Sequence, residues 1–312
     1  MEIIRNLKDY NPLAASVLTI GSYDGIHRGH HDILSAVVNH AHARKIPSVL
    51  VTFDPHPRHI LDPNADKLSL IMSLDQKMDI VRALGVEIVY IINFTQAFSK
   101  TSAKKFLEQT IIPFFKPEYI IVGYDHHFGN NREGSPKFLE KFCSNKNIGL
   151  EVVQPVSDDG HHISSTRIRE LIKDGFVRRA NFELGAVFGF EAIAVKGAGR
   201  GKELTFPTAN VIPVEKNQLM PKKGVYFIRG RIIGLQAFGM CNFGVRPTFN
   251  EEELVMEIHF FRDNLDDLYG KEIRVEFLER IRDEKKFPSS DNLIKQLKID
   301  KLKCLELQAK YE

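Results

Sequence analysis

Short apolar runs alternate with amphipathic stretches over the first half of the chain. Val17, Leu18 and Ile20 open the series, followed by Val49 to Phe53, Glu87 to Ile92, Tyr119 to Val122 and Leu150 to Pro155, each short and rich in β-branched residues, as buried strands are. Between them apolar residues recur at helical spacing. Ile33, Leu34, Val37, Val38 and Ala41 predict a helix over Asp32 to Arg44. The same period predicts helices over Leu74 to Leu84, closed by Gly85, over Ser102 to Ile112, capped by Thr101 or Ser102, and over Ser135 to Asn145. Such alternation predicts an α/β domain with a doubly wound parallel sheet, covered on both faces, whose ligands bind at the carboxyl ends of the strands. One more helix, with Ser165 or Thr166 as its cap, runs through Leu171 and Ile172 to Gly175.

The pattern changes after Gly185. Phe188 to Val195, Gly224 to Arg231, Leu235 to Asn242, Leu254 to Phe261 and Ile273 to Ile281 all read as strands joined by short turns, which predicts a β-barrel or a sandwich. A terminal helix over Ser290 to Glu312 offers Leu293, Ile294, Leu297, Leu302 and Leu305 to lie against it. The expected division is therefore 1–184 and 185–312, with a short join at Leu184 to Val187 and no internal repeat.

At 312 residues the chain has room for two such domains and their cores. Its 43 lysines and arginines against 40 aspartates and glutamates leave a net charge of +3, spread over a mixed-sign sequence. That lacks the basic stripe of a nucleic-acid binder and suits small anionic ligands. Cys143, Cys241 and Cys304 are odd in number and far apart, so neither a disulfide framework nor a zinc ribbon is expected. No apolar run approaches the ~20 residues of a membrane helix, and Met1-Glu2-Ile3-Ile4-Arg5-Asn6 does not read as a signal peptide, which makes a cytoplasmic protein the expectation.

Candidate chemistry concentrates where the first strand meets the first helix, in Gly21-Ser22-Tyr23-Asp24-Gly25-Ile26-His27-Arg28-Gly29-His30. The glycines let the backbone turn and approach a ligand closely. His27 and His30 stand in the loop and first turn of a helix, whose unpaired N–H groups attract phosphate. A metal site or inert surface histidines are the alternatives; no cysteine lies nearby, and a glycine between the imidazoles favours close backbone approach over a tetrahedral cage. Thr52-Phe53-Asp54-Pro55-His56-Pro57 ends the second strand in a rigid polar loop, and Gly123 to Gly134 is polar and glycine-rich. Ile163-Ser164-Ser165-Thr166-Arg167-Ile168-Arg169 brings hydroxyls, N–H groups and, one turn on, a cation; alone it would read as an ordinary helix start.

His27-Arg28-Gly29-His30 resembles the His-x-Gly-His element of the nucleotidylyltransferase superfamily, whose members bind ATP. Nearly end to end, the chain resembles the prokaryotic bifunctional riboflavin kinase/FMN adenylyltransferase, or FAD synthetase, family. The first domain does so through the four stretches just quoted. The second does so through Gly197-Ala198-Gly199-Arg200-Gly201, Phe206-Pro207-Thr208-Ala209-Asn210, Asn242-Phe243-Gly244-Val245-Arg246-Pro247-Thr248-Phe249, Glu257-Ile258-His259 and Asp267-Leu268-Tyr269-Gly270.

The resemblance implies an N-terminal nucleotidylyltransferase domain and a C-terminal flavokinase-like β-barrel, with ATP, riboflavin, FMN and FAD as substrates or products and Mg²⁺ as the ion. In the first domain it implies His27, His30 and Arg169 as catalytic groups that stabilise charge, with Gly21, Tyr23, Asp24, Gly29, Ser165 and Thr166 at the nucleotide and His56 and Asp125 at the flavin. In the barrel it implies Glu257 as the base and Thr208 and Asn210 at the metal. Thr208, Gly197, Gly199, Arg200 and Gly201 are then at the nucleotide and Arg246 at the flavin. Partners would be small molecules alone, without nucleic acid or membrane, and the chain a monomer or weak homo-oligomer. Two other readings stay open: an FMN adenylyltransferase beside a weakened kinase domain, and a flavin-binding regulatory protein without turnover.

Overall fold

A computed structural model describes residues 1–62, 68–196, 206–232, 234–247, 252–262 and 268–312, with the backbone alone at 245–247 and 252–254. By contacts the chain forms two compact units, 1–70 with 74–165, and 71–73 with 166–312.

The first unit opens with β1 (Glu2–Ile4), β2 (Ser16–Ile20), α1 (Arg28–Arg44), β3 (Ser48–Asp54) and α2 (Pro57–Leu61). It continues with α3 (Leu74–Ala83), β4 (Ile88–Asn93), α4 (Gln96–Ser99) and α5 (Ala103–Phe106), then a π turn over Leu107–Ile111 and α6 (Ile112–Phe115). After β5 (Pro117–Gly123) come α7 (Pro136–Lys146), β6 (Gly149–Val153) and a small hairpin of β7 (Ser157–Asp158) and β8 (His161–His162). The six longer-range strands form one parallel sheet in the order β1-β4-β3-β2-β5-β6. From β2 the chain steps outward through β3 to β4, then returns to the other side of β2 for β5 and β6. The order thus reverses at β2, and the carboxyl end of that strand is the switch point where such sheets bind ligands.

One face of the sheet, with Leu18, Ile20, Val49 and Val51, is covered by Phe106, Leu107, Ile111, Phe115, Leu139 and Phe142. Against the other lies α1, through its buried Ile33, Leu34, Val37 and Ala41. Each fully buried aliphatic side chain contributes about 1.5–3 kcal/mol, so the frame around the switch point is stiff. Ser102 is the cap of α5, accepting from the Lys105 N–H at 3.2 Å.

The second unit holds α8 (Ser165–Lys173), which begins on the last residue of the first, and α9 (Val177–Leu184). There follow β9 (Gly189–Val195), β10 (Ala209–Pro213), β11 (Gly224–Ile232), β12 (Leu235–Pro247), β13 (Glu252–Phe260), β14 (Glu272–Arg282) and α10 (Ser290–Gln308). Where the sequence left barrel or sandwich open, the strands close into an antiparallel barrel, β10-β13-β12-β11-β14-β9. Phe190, Phe277 and Tyr226 meet on one side of the strands, with ring centroids 5.6 and 5.3 Å apart. The alternate residues Val225, Phe227, Phe238 and Met240 pack with Cys304 of α10 on the other.

Two expectations are corrected. Ser165 is the first residue of α8 rather than its cap, because its hydroxyl is spent elsewhere, donating to the Asp24 carbonyl at 2.7 Å. Leu302 and Leu305 of the terminal helix are exposed: Ile294, Leu297, Cys304 and Leu307 form the stripe that meets the barrel, leaving Ile299, Leu302 and Leu305 outside it. A buried ion pair ties α10 down, with Arg282 reaching Asp300 at 2.8 and 2.9 Å and the Gln296 amide donating to the same carboxylate at 2.9 Å.

Candidate active site

Beyond β2 the chain turns through Gly21 to Gly25 before entering α1. At Gly21 a Cβ would sit 2.6 Å from the Tyr23 ring, so only glycine lets that ring fold beneath the turn. Tyr23 itself has φ 49°, is buried, and shares a 2.6 Å hydrogen bond with the Thr19 hydroxyl. Its ring also lies edge-on to His30, centroids 4.8 Å apart. Tyr23 thus stands under the turn, as its prop.

His27 caps α1: its Nδ1 accepts the His30 N–H at 3.3 Å, and the two rings stack 3.7 Å apart at 16°. A nitrogen that accepts carries no proton, so the His27 proton sits on Nε2. Burial lowers the His27 pKa to about 4, with His31 adding to the shift. Burial and the neighbouring His27 hold His30 well below the ordinary histidine value. Both imidazoles are therefore neutral near pH 7. His30 is hydrogen-bonded to the Gly25 carbonyl, and its Nδ1 is buried with no hydrogen-bond partner among the described residues. Gly29 differs from Gly21, since a Cβ there would make only ordinary contact with the His27 ring at 3.4 Å. The protein's own packing does not demand that glycine.

The Ser165 hydrogen bond to the Asp24 carbonyl brings the start of α8 to the same turn. Thr166 follows it, and Arg169, mostly buried, lies four residues on and so on the Ser165 face of α8. His56 caps α2, its Nδ1 accepting the Arg58 N–H at 3.2 Å. Asp125 is exposed in the loop after β5, where its carbonyl pairs with the His127 ring at 2.8 Å. His27, His30, Gly29, Asp24 and Ser165 are thus gathered around one turn; His56 and Asp125 stand on separate loops that follow β3 and β5.

Lys77 belongs to none of the motifs that the sequence offers. It is 6% exposed on α3, and its ammonium donates to the Ser22 carbonyl at 2.7 Å. A lysine beside Met78 and four residues before Val81, within the buried stripe of an amphipathic helix, was the available signal.

On the barrel, cross-strand register does the gathering. Asn210 of β10 lies opposite Glu257 of β13, which lies opposite Asn242 of β12. Directly opposed residues share a face, so the three form one row across three strands. Thr208 precedes Asn210 by two, beside Pro207, whose carbonyl pairs with His259 Nδ1 at 2.9 Å. The His259 ring also meets Phe206, 5.1 Å between centroids, so this histidine pins the turn two residues along from Glu257. Gly197, Gly199, Arg200 and Gly201 lie outside the described residues, as does the Arg246 side chain, although its backbone pairs with Glu253.

No group of three or more His, Cys, Asp or Glu side chains that could hold a metal occurs among the described residues. The Thr208 hydroxyl and the Asn210 amide oxygen are hard, neutral donors, which suit Mg²⁺ carried in on phosphate oxygens rather than a resident ion.

Comparison with known proteins agrees with both halves. The model of the FAD synthetase family matches residues 10–167 and that of riboflavin kinase matches residues 184–307. The bifunctional riboflavin kinase/FMN adenylyltransferase of Bacillus subtilis is 32% identical over 94% of this chain and 92% of its own. Its Escherichia coli counterpart is 31% identical over 98% and 97%. The chain belongs to the bifunctional riboflavin kinase/FMN adenylyltransferase family. A crystal structure described as a macrolide-efflux protein from Streptococcus pneumoniae has the same fold, with a TM-score of 0.87, 33% identity and 96% of each chain covered. In this chain no described helix is long and apolar enough to cross a membrane.

The His27–His30 turn therefore belongs to an FAD synthetase module and the Asn210–Glu257 row to a riboflavin kinase module. Between the two matched regions, α9 packs on the barrel: the Asn181 amide donates to the Phe277 carbonyl at 2.9 Å and accepts the Phe188 N–H at 2.7 Å.

Proposed function

We propose that each module carries one of the family's two transfers on the residues described above. The chain is a transferase of FAD biosynthesis, phosphorylating riboflavin to FMN and adenylylating FMN to FAD, with ATP as the donor in both. In adenylyl transfer an FMN phosphate oxygen attacks the α-phosphorus of ATP, a P–O–P link forms and pyrophosphate leaves. The nucleophile is already an anion, so no base is needed and stabilising the developing charge is the task. His27 donates from Nε2, and His30 Nδ1 takes up a proton as the polyphosphate raises its pKa. Ser165, hydrogen-bonded to the Asp24 carbonyl, stands at the same charge, and Thr166 and Arg169 of α8 are assigned to the nucleotide phosphates. Gly21, Asp24 and Gly29 shape the nucleotide space, with Tyr23 beneath; His56 and Asp125 contact the flavin.

For phosphorylation the riboflavin 5′-hydroxyl must lose its proton as it attacks the γ-phosphorus and ADP leaves. Glu257 takes that proton, while Thr208 and Asn210 face the ATP phosphates and their Mg²⁺, which screens the charge. Gly197, Gly199, Arg200 and Gly201 are assigned to the nucleotide and Arg246 to the flavin. We place the domain division at 184/185, the protein in the cytoplasm, where ATP is made and buried thiols such as Cys143 stay reduced, and its state as monomer or weak homo-oligomer without nucleic acid.

The hydrogen bond from Ser165 to the Asp24 carbonyl carries this reading, since it supports one anion facing both helix starts. Incubation with ATP, Mg²⁺ and either riboflavin or FMN, with flavins and pyrophosphate followed by chromatography, tests it. FMN from riboflavin and FAD from FMN are expected; FAD without FMN from riboflavin would reject the kinase assignment.

A further inference from the structure

Lys77 is a buried charged group that the two transfers leave unused. Its ammonium donates to the Ser22 carbonyl at 2.7 Å, and that same oxygen accepts the Thr52 hydroxyl at 3.4 Å. Asp24, itself 3% exposed, and Asp54 are its counter-charges. Burying an ammonium is costly unless it is paired and hydrogen-bonded, and a methionine would fill this place in the α3 stripe without that cost. What the ammonium holds is therefore informative. Ser22 and Asp24 lie in the turn that decides where His27 and His30 begin α1, and the Asp24 carbonyl receives Ser165.

We propose that Lys77 is a positioning residue for adenylyl transfer, pinning the Ser22 carbonyl and with it Asp24, so that the two imidazoles and Ser165 converge on one phosphate. The inference rests on the assignment of FMN adenylylation to the first module. Lys77 acts through the turn and needs no contact with the nucleotide.

The charge leaves a second mark. His30 faces His27 and His31 of its own helix, the Tyr23 ring and Gly25 carbonyl of the turn, and Lys77 from α3, whose charge is among the causes that hold its pKa down. Removing that charge lets His30 protonate at higher pH.

Full-length Lys77→Met and Lys77→Arg variants, assayed for FMN adenylylation and riboflavin phosphorylation on one preparation, test the proposal. K77M is expected to lower the kcat for adenylylation about 100-fold, the scale of a misplaced reacting group, with KM for FMN changed less than about threefold. Riboflavin phosphorylation should be unchanged, showing that the chain is folded. The basic limb of the adenylylation profile, on which His30 gives up that proton, should move to higher pH, and K77R should recover part of the rate. K77M with unaltered adenylylation would overturn the proposal. So would K77M and K77R losing it alike with the basic limb unmoved, the mark of a packing role. An unaltered chain that makes no FAD from FMN would overturn the functional reading and this inference together.

Discussion

At the carboxyl end of β2, two stacked and uncharged imidazoles sit at a helix start; on the barrel, a half-buried carboxylate stands in a row of amides. On the proposed assignment both sites serve a flavin acceptor and ATP, and they differ because the acceptors differ. FMN offers a phosphate that is already nucleophilic, so its site needs donors and must avoid negative charge. Riboflavin offers a hydroxyl, so its site needs a base. The means of assembly differ too. In the parallel sheet a switch point collects loops distant in sequence, as Ser165 and Asp24 are. In the barrel strand register alone lines up Asn210, Glu257 and Asn242.

The sharpest way to separate the sites is Glu257→Gln, which keeps shape and removes the carboxylate proposed as the base. Riboflavin phosphorylation should fall about 10³-fold or more with FMN adenylylation intact, measured by product chromatography. His30→Ala is the mirror experiment, costing adenylylation on the order of 10²–10³-fold while phosphorylation survives.

Stability should divide along the same line. Asp300→Ala strands Arg282 beneath α10 and should cost the barrel about 3 kcal/mol, read as a lower urea midpoint for kinase activity while adenylylation persists. Acid should reverse the order. The folded-state pKa of His27 is depressed from 6.5 to about 4, so below pH 6.5 the unfolded chain binds a proton that the folded one refuses. The resulting stability is full above that pH and is lost as pH falls toward 4, roughly 3 kcal/mol for His27 alone. His30 and His126 shift the same way in the first unit, whereas His259 is the barrel's sole depressed histidine among the described residues. Adenylylation should accordingly fail first on acid exposure; simultaneous loss of both activities would blur the comparison.

Much of this was legible in the sequence where pattern and chemistry coincide. Apolar runs marked β2 to β6 and most of the barrel, and the histidines and glycines around His27 marked the switch point. Short elements left no periodicity to read: β1 spans three residues, and β7 and β8 two each. The outward Leu302 and Leu305 show that composition does not choose which of two leucine stripes a barrel will cover. Three-dimensional facts were out of reach altogether. That Ser165 donates to a carbonyl 141 residues away, that His27 spends Nδ1 on a cap, and that Lys77 points inward depend on packing that no local spacing encodes.

Supplying riboflavin and MgATP to the His30→Ala and Glu257→Gln proteins, alone and mixed, bears most directly on the claim that one chain carries two separable phosphorus-transfer sites. The first variant should stop at FMN, the second should leave riboflavin untouched while converting added FMN, and the equimolar mixture should release FAD. Loss of both conversions in either variant, or a mixture unable to reach FAD, would contradict it.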